Sequence, residues 1–197
     1  TTMSNEIVKQ AAEFFKDKEQ WYSFLDLVEN KNRIRDSWFT NLKEKINKCF
    51  AIEHVDEKWG YVSINLWDYR WFLKKYGKES LCLYFDGRIL RLWVNSAYFD
   101  SVKITEYLQQ EKYIPIISAF ERQDEINDSD NVNKVCEHGN FRFNDEYDGY
   151  FDFDRLAWFA KYKSDELVQQ LLIKIDKFRK NSLVTDLLIE INDLTKK

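Results

Sequence analysis

The sequence predicts an α+β fold in which a central, mainly antiparallel sheet is flanked by N-terminal helices and a C-terminal helical hairpin. Three observations carry that expectation. Residues 59–94 read as three strands with an Asp86-Gly87 turn. Apolar side chains recur at spacings of three and four over residues 5–49 and 156–194. One Pro and five Gly leave little room for long linkers, so the 197 residues are expected to form one domain.

Within that frame, residues 3–50 are expected to be helical. Ile7, Val8, Ala11, Ala12, Phe14 and Phe15 make a wide stripe behind Ser4 as N-cap. Trp21, Leu25 and Val28, widened by Phe24 and Leu27, make a second helix, and Asn30-Lys31-Asn32 is the expected break. Ile34, Trp38, Leu42, Ile46 and Cys49 make a third, which places Cys49 in the interior. The three helices are expected to form one layer on the sheet.

Residues 59–120 are the expected sheet region. Val62, Ile64 and Leu66 alternate with Ser63 and Asn65, the period of a strand with one wet face. A two-residue Asp86-Gly87 loop sets Leu81 opposite Leu92 and Leu83 opposite Leu90 on an aliphatic core face. Cys82 and Arg91, with Tyr84 and Ile89, then share an amphipathic face that lies under a helix or binds something. Residues 67–77 are expected to be a short helix closed by Gly77. Asp100 or Ser101 caps a helix through Gln110, and residues 113–120 are an edge-strand candidate because Pro115 lacks an N–H.

Charge divides the chain. Residues 121–154 hold 11 acidic and 3 basic side chains, net −8, against a whole-chain net charge of −4. Residues 121–140 are polar and loop-like, whereas 141–154 interleave six rings with carboxylates. Residues 155–197 carry the closing helices, with Ser164-Asp165-Glu166 and Asn181-Ser182 as cap signals.

Three Cys with no C-x-x-C pair point to a reducing compartment, and no leader-like or membrane-spanning run is evident. A cytoplasmic protein with no membrane partner is expected, with Thr1-Thr2 read as an expression remnant before Met3.

Five constellations bear on function. Asp56-Glu57-Lys58, like Glu29-Asn30-Lys31, matches the (D/E)-x-K half of a PD-(D/E)XK nuclease site, which would hold Mg or Mn. The Pro-Asp half is missing, so Asp26 or Asp36 would have to serve, and a solvated turn before Trp59 accounts for the triplet more simply. Cys49, His54, Cys136 and His138 could supply an S₂N₂ zinc set, but C-x4-H and C-x-H are not common zinc spacings. Nothing orients Cys136 and His138 as a nucleophile pair. Asn144-x-Glu146-x-Asp148-Gly149 echoes a calcium loop whose twelfth position is Arg155 instead of Glu. No cofactor is therefore expected.

The fourth constellation is basic and aromatic. Arg70, Lys74 and Lys75 beside Trp67, Tyr69, Trp71 and Tyr76, with Arg88 and Arg91 nearby, could bind nucleic acid; a buried-ring helix with a wet basic face explains the same pattern. The fifth is acidic. Asp145, Glu146, Tyr147, Asp148, Tyr150 and Asp152 combine carboxylates for steering with rings for burial, which suits a protein partner with a basic surface. A non-catalytic protein-binding module of immunity, inhibitor or adaptor type is the first expectation, and a nucleic-acid protein or nuclease the second.

Overall fold

A computed structural model describes residues 5–52, 57–87, 89–120, 134–137 and 153–197. The protein is α+β, and its contacts divide it into two compact units, Thr1–Ser37 and Trp38–Lys197.

The first unit holds α1 (Asn5–Phe14) and the start of α2 (Lys18–Ile52). Asp17 Oδ1 accepts the Gln20 N–H at 2.7 Å while Gln20 Oε1 accepts the Lys16 N–H at 3.1 Å. This reciprocal pair satisfies donors that an uncapped helix start would leave open. The break expected at Asn30-Lys31-Asn32 is absent, because α2 runs 35 residues without interruption. Asn and Lys in a helix interior cost only tenths of a kcal/mol each, far from the ~3 kcal/mol of a Pro. Asn30 also turns its amide inward to the helix, donating to the Asp26 carbonyl at 2.8 Å.

The second unit is built on a sheet of β1 (Trp59–Ser63), β2 (Tyr69–Leu73), β3 (Cys82–Phe85), β4 (Leu90–Trp93) and β5 (Lys134–Glu137). The strands are ordered β1-β2-β3-β4-β5 and each neighbouring pair is antiparallel. Rings fill one face. Phe50 of α2 packs on Trp71 and Tyr61 at 4.8 and 5.7 Å, and Tyr69 stacks between Tyr61 and Phe85 at 6.4 and 6.1 Å. Phe39, Leu42 and Ile46, one helical stripe of α2, are fully buried with them.

Residues 67–77 form β2 and a turn, not a helix. Tyr69, Trp71 and Leu73 point into the core while Arg70 and Phe72 point away, a period of two that only a strand satisfies. Gly77 does end the element, at φ +80, but it closes the turn that leaves β2. The first strand is shorter than its alternation suggested. Asn65 Oδ1 accepts the N–H groups of Trp67 and Asp68 at 2.8 and 2.9 Å, and this Asx turn stops the strand before Ile64.

The β3–β4 hairpin exists with a four-residue loop where two were expected. Phe85 pairs with Leu90, Leu83 with Leu92 and Cys82 with Trp93, so the register is displaced by two residues. An even displacement preserves the faces: Leu81, Leu83, Leu90 and Leu92 are all buried in the core. The loop closes on Asp86, whose backbone N–H donates to the Ile89 carbonyl and whose Oδ1 accepts the Ile89 N–H, at 3.3 and 3.0 Å.

Between β4 and β5 come α3 (Ser101–Leu108), capped by Asp100 accepting the Lys103 N–H at 3.2 Å, and α4 (Ile114–Ser118). Residues 113–120 are thus a short helix and the turns around it, not an edge strand. Pro115 stands in the first turn, where its missing N–H is no loss, and Tyr113, Ile116 and Phe120 face the core at helical spacing. The chain closes with α5 (Phe153–Tyr162), α6 (Ser164–Arg179) and α7 (Ser182–Thr195). The expected hairpin is α6–α7, turned at Asn181, whose side chain accepts the Val184 N–H.

Candidate functional surfaces

Strand geometry disperses the basic-aromatic segment. Trp71 is 1% exposed inside the core, whereas Arg70 leaves on the opposite face of the sheet. There the Arg70 guanidinium lies 3.8 Å from the Trp93 ring centre and 5.5 Å from that of Tyr84, and donates to Glu79 Oε1 at 3.3 Å. Arg91, its counterpart on β4, donates to Asp86 Oδ2 at 2.6 Å and sits 5.8 Å from the same Tyr84 ring. Each arginine thus has a ring to lie on and a carboxylate to answer it. Its Nε lies buried without an acceptor among the described residues, in Arg91 as in Arg70. Lys74 and Lys75 stand apart in the turn after β2, and Lys75 Nζ reaches both Asp193 oxygens at 3.0 Å. The Tyr76 hydroxyl first, and then Asp193, raise the Lys75 pKa. Arg88 lies outside the described residues.

The nuclease triplet divides in the same way. Asp56 lies outside the described residues, and Glu57 and Lys58 are exposed in a bend before β1. Lys58 Nζ donates to Asp186 Oδ1 of α7 at 2.9 Å. The substitute carboxylates, Asp26 and Asp36, belong to the first unit, where Asp36 meets Arg35 at 3.2 Å. Among the described residues no three His, Cys, Asp or Glu side chains converge in a metal-holding group.

Of the zinc candidates, Cys49 is partly buried on α2, Cys136 occupies β5 opposite Leu92, and His54 and His138 lie outside the described residues. Cys82 is sealed under the outer face, where burial pushes its thiol well above the usual range and makes thiolate chemistry unfavourable. Two open clefts were also found. One of about 300 Å³ is lined by Tyr76, Glu79, Tyr98 and Lys196, the other of about 550 Å³ by Pro115, Asp176 and Lys180. Each holds a single carboxylate, and both are already engaged, Glu79 by Arg70 and Asn95, Asp176 by Arg179 and Lys180.

Asp145, Glu146, Tyr147, Asp148, Tyr150 and Asp152, with the calcium-like positions Asn144 and Gly149, lie outside the described residues. The elements on either side of them are described. β5 is the fifth strand of the sheet, and Phe153 packs at the start of α5 against Trp67 and Phe39, at 5.1 and 6.0 Å.

One surface was missed. Within the first unit, Trp21, Leu25 and Val28 are 43, 42 and 55% exposed, and Phe14 is 74% exposed. Phe15 joins the two helices of the first unit, 5.4 Å from Trp21 and 4.7 Å from Phe24. Apolar periodicity shows which side of a helix seeks cover but not what supplies it. Compared with protein-family models, curated proteins and solved structures, the chain matches none.

Proposed function

We propose that the protein is a non-catalytic, cytoplasmic protein-binding module of immunity, inhibitor or adaptor type. It occupies or scaffolds a partner with a basic surface through Asp145, Glu146, Tyr147, Asp148, Tyr150 and Asp152. The observation that carries this reading is the fate of the cations. Arg70, Arg91, Lys58 and Lys75, which a phosphate-binding or nuclease function would need, are each held by a carboxylate of the protein itself. A phosphate would have to displace Glu79, Asp86, Asp186 or Asp193 before gaining its own contact. The acidic stretch, in contrast, is bracketed by β5 and by the ring anchor of Phe153. Carboxylates and rings together steer a basic partner and then bury area against it.

The test begins with crosslinking in the producing cells and continues with reconstitution from the purified partner. Reversing Asp145, Glu146 and Asp148 to Lys should slow association at least tenfold and weaken its salt dependence. Unchanged association kinetics would count against the acidic surface. Salt-sensitive binding of single- or double-stranded nucleic acid, or Mg- or Mn-dependent cleavage lost in Lys58→Ala, would replace this reading with the nucleic-acid one.

A further inference from the structure

We infer that β1 is a self-association edge, along which a second copy of this chain adds its own β1 antiparallel to the first. The inference is independent of the acidic segment and uses none of its residues.

The open edge follows from the hydrogen bonding. Among the described residues, β1 has β2 on one side and no strand on the other. The Lys74 N–H donates to the Lys58 carbonyl at 2.9 Å and the Ile64 N–H to the Asp68 carbonyl at 2.8 Å, so the even-numbered residues of this stretch are the ones bonded to β2. The main-chain groups of Tyr61 and Ser63 therefore point outward, and none of them has a partner among the described residues. Residues 59–66 hold no charged side chain and no Pro, so this edge lacks the devices that usually keep strands apart.

Register selects the occupant. Alternating N–H and C=O groups are answered by an extended chain, not by lipid or nucleic acid. With a two-fold axis at Val62, Tyr61 of each copy faces Ser63 of the other, each pair exchanging both of its hydrogen bonds, and the contact uses just the residues whose groups are open. On the outer face the same register sets Val62 against Val62 at the close spacing of a non-hydrogen-bonded pair, and Ile64 opposite Gly60 of the other copy. Those shapes fit. Ile64 is 44% exposed, while Gly60 lies under its own Phe72 ring, since a Cβ there would stand 2.6 Å from Phe72 Cζ. Each Ile64 thus gains an aromatic neighbour across the new edge, and the axis sets no charge of β1 opposite itself. A foreign strand answers the main-chain groups alone; a second copy also covers Ile64 and uses the room at Gly60.

Sedimentation equilibrium on the full chain, from about 1 to about 200 μM, should show a reversible shift from 23.9 kDa to twice that mass. Amide hydrogen exchange at Tyr61 and Ser63 should slow as the dimer forms. Val62→Lys and Val62→Glu each set like charges opposite one another and should each raise the dissociation constant about tenfold, whereas an equal mixture of the two variants should recover it as a heterodimer. If a Val62 variant alters the circular dichroism, Ile64→Asp, at a more open site, takes its place, and Leu183→Asp, exposed on α7, should leave the dimer alone. A constant 23.9 kDa at every concentration overturns the proposal, as does a dimer indifferent to Val62 and Ile64 or a mixture no tighter than its components. So does a monomer whose Tyr61 and Ser63 amides gain protection only on adding a partner recovered by crosslinking, which would assign the edge to that protein.

Discussion

Asn192 of α7 accepts the backbone N–H of Leu81 at 3.2 Å and donates its own amide to the Leu188 carbonyl at 2.8 Å. It is fully buried, so the last helix is joined to the residue preceding β3 by a polar group that has no water to fall back on. Asn192→Leu keeps the volume and leaves the Leu81 N–H without its acceptor. The expected loss is about 1–3 kcal/mol, read as a lower urea midpoint at constant slope. Asn192→Asp should cost more, because a carboxylate cannot donate to Leu188 and brings a charge into the interior.

Two glycines with nearly the same backbone separate conformational strain from crowding. Gly77 and Gly87 have φ of +80 and +82, where a side chain costs about 1–2 kcal/mol. A Cβ at Gly77 meets nothing within 4 Å, while one at Gly87 meets Trp67 Cβ at 3.0 Å and the Trp67 carbonyl oxygen at 3.3 Å. Gly77→Ala should therefore show the backbone cost alone. Gly87→Ala should lose about 1 kcal/mol more in the same denaturation experiment, because Trp67 is itself wedged against Phe39 and Phe153.

Alkaline pH should find a weakness in the aromatic core. Burial raises the phenols of Tyr61, Tyr69 and Tyr84 well above the ordinary tyrosine range. Tyr61 and Tyr69 also donate, to Asn47 Oδ1 and the Leu66 carbonyl, both at 2.7 Å, which only the neutral phenol can do. A pKa raised on folding gives stability that is complete below the unfolded value, about 10, and is lost as pH climbs toward the folded value. Stability should then fall by up to ~1.4 kcal/mol per pH unit for the fully buried Tyr69 alone. Tyrosinate absorbance should lag in the native protein and appear with unfolding, and Tyr69→Phe should flatten the slope by one proton.

The core faces of β3 and β4 were legible because alternation survives any even error in register; the four-residue loop was not, since its closure depends on Asp86 acting through its side chain. β2 was misread because Trp67 and Trp71 on one side, and Arg70 and Lys74 on another, are each four residues apart, as on a helix. Only pairing with β1 and β3 decides between helix and strand. Pro115 misled for a related reason: a missing N–H suits a sheet edge and a first helical turn equally. Around the basic side chains, local sequence named the cations but not the carboxylates that hold them. Asp186 lies far along the chain from Lys58, and no local pattern foretells that contact.

That contact yields the last prediction. Lys58 and Asp186 are 52 and 62% exposed, so their 2.9 Å bridge is a surface pair worth at most ~1 kcal/mol. Lys58→Met, which keeps the aliphatic stem, should lower the urea midpoint slightly in dilute buffer and not at all in high salt, where screening has already removed the attraction. Asp186→Asn should behave alike, and the double variant should lose no more than either alone. A salt-independent loss of several kcal/mol in Lys58→Met would assign this side chain a packing role, and nucleolytic activity vanishing without any change in midpoint would assign it a catalytic one.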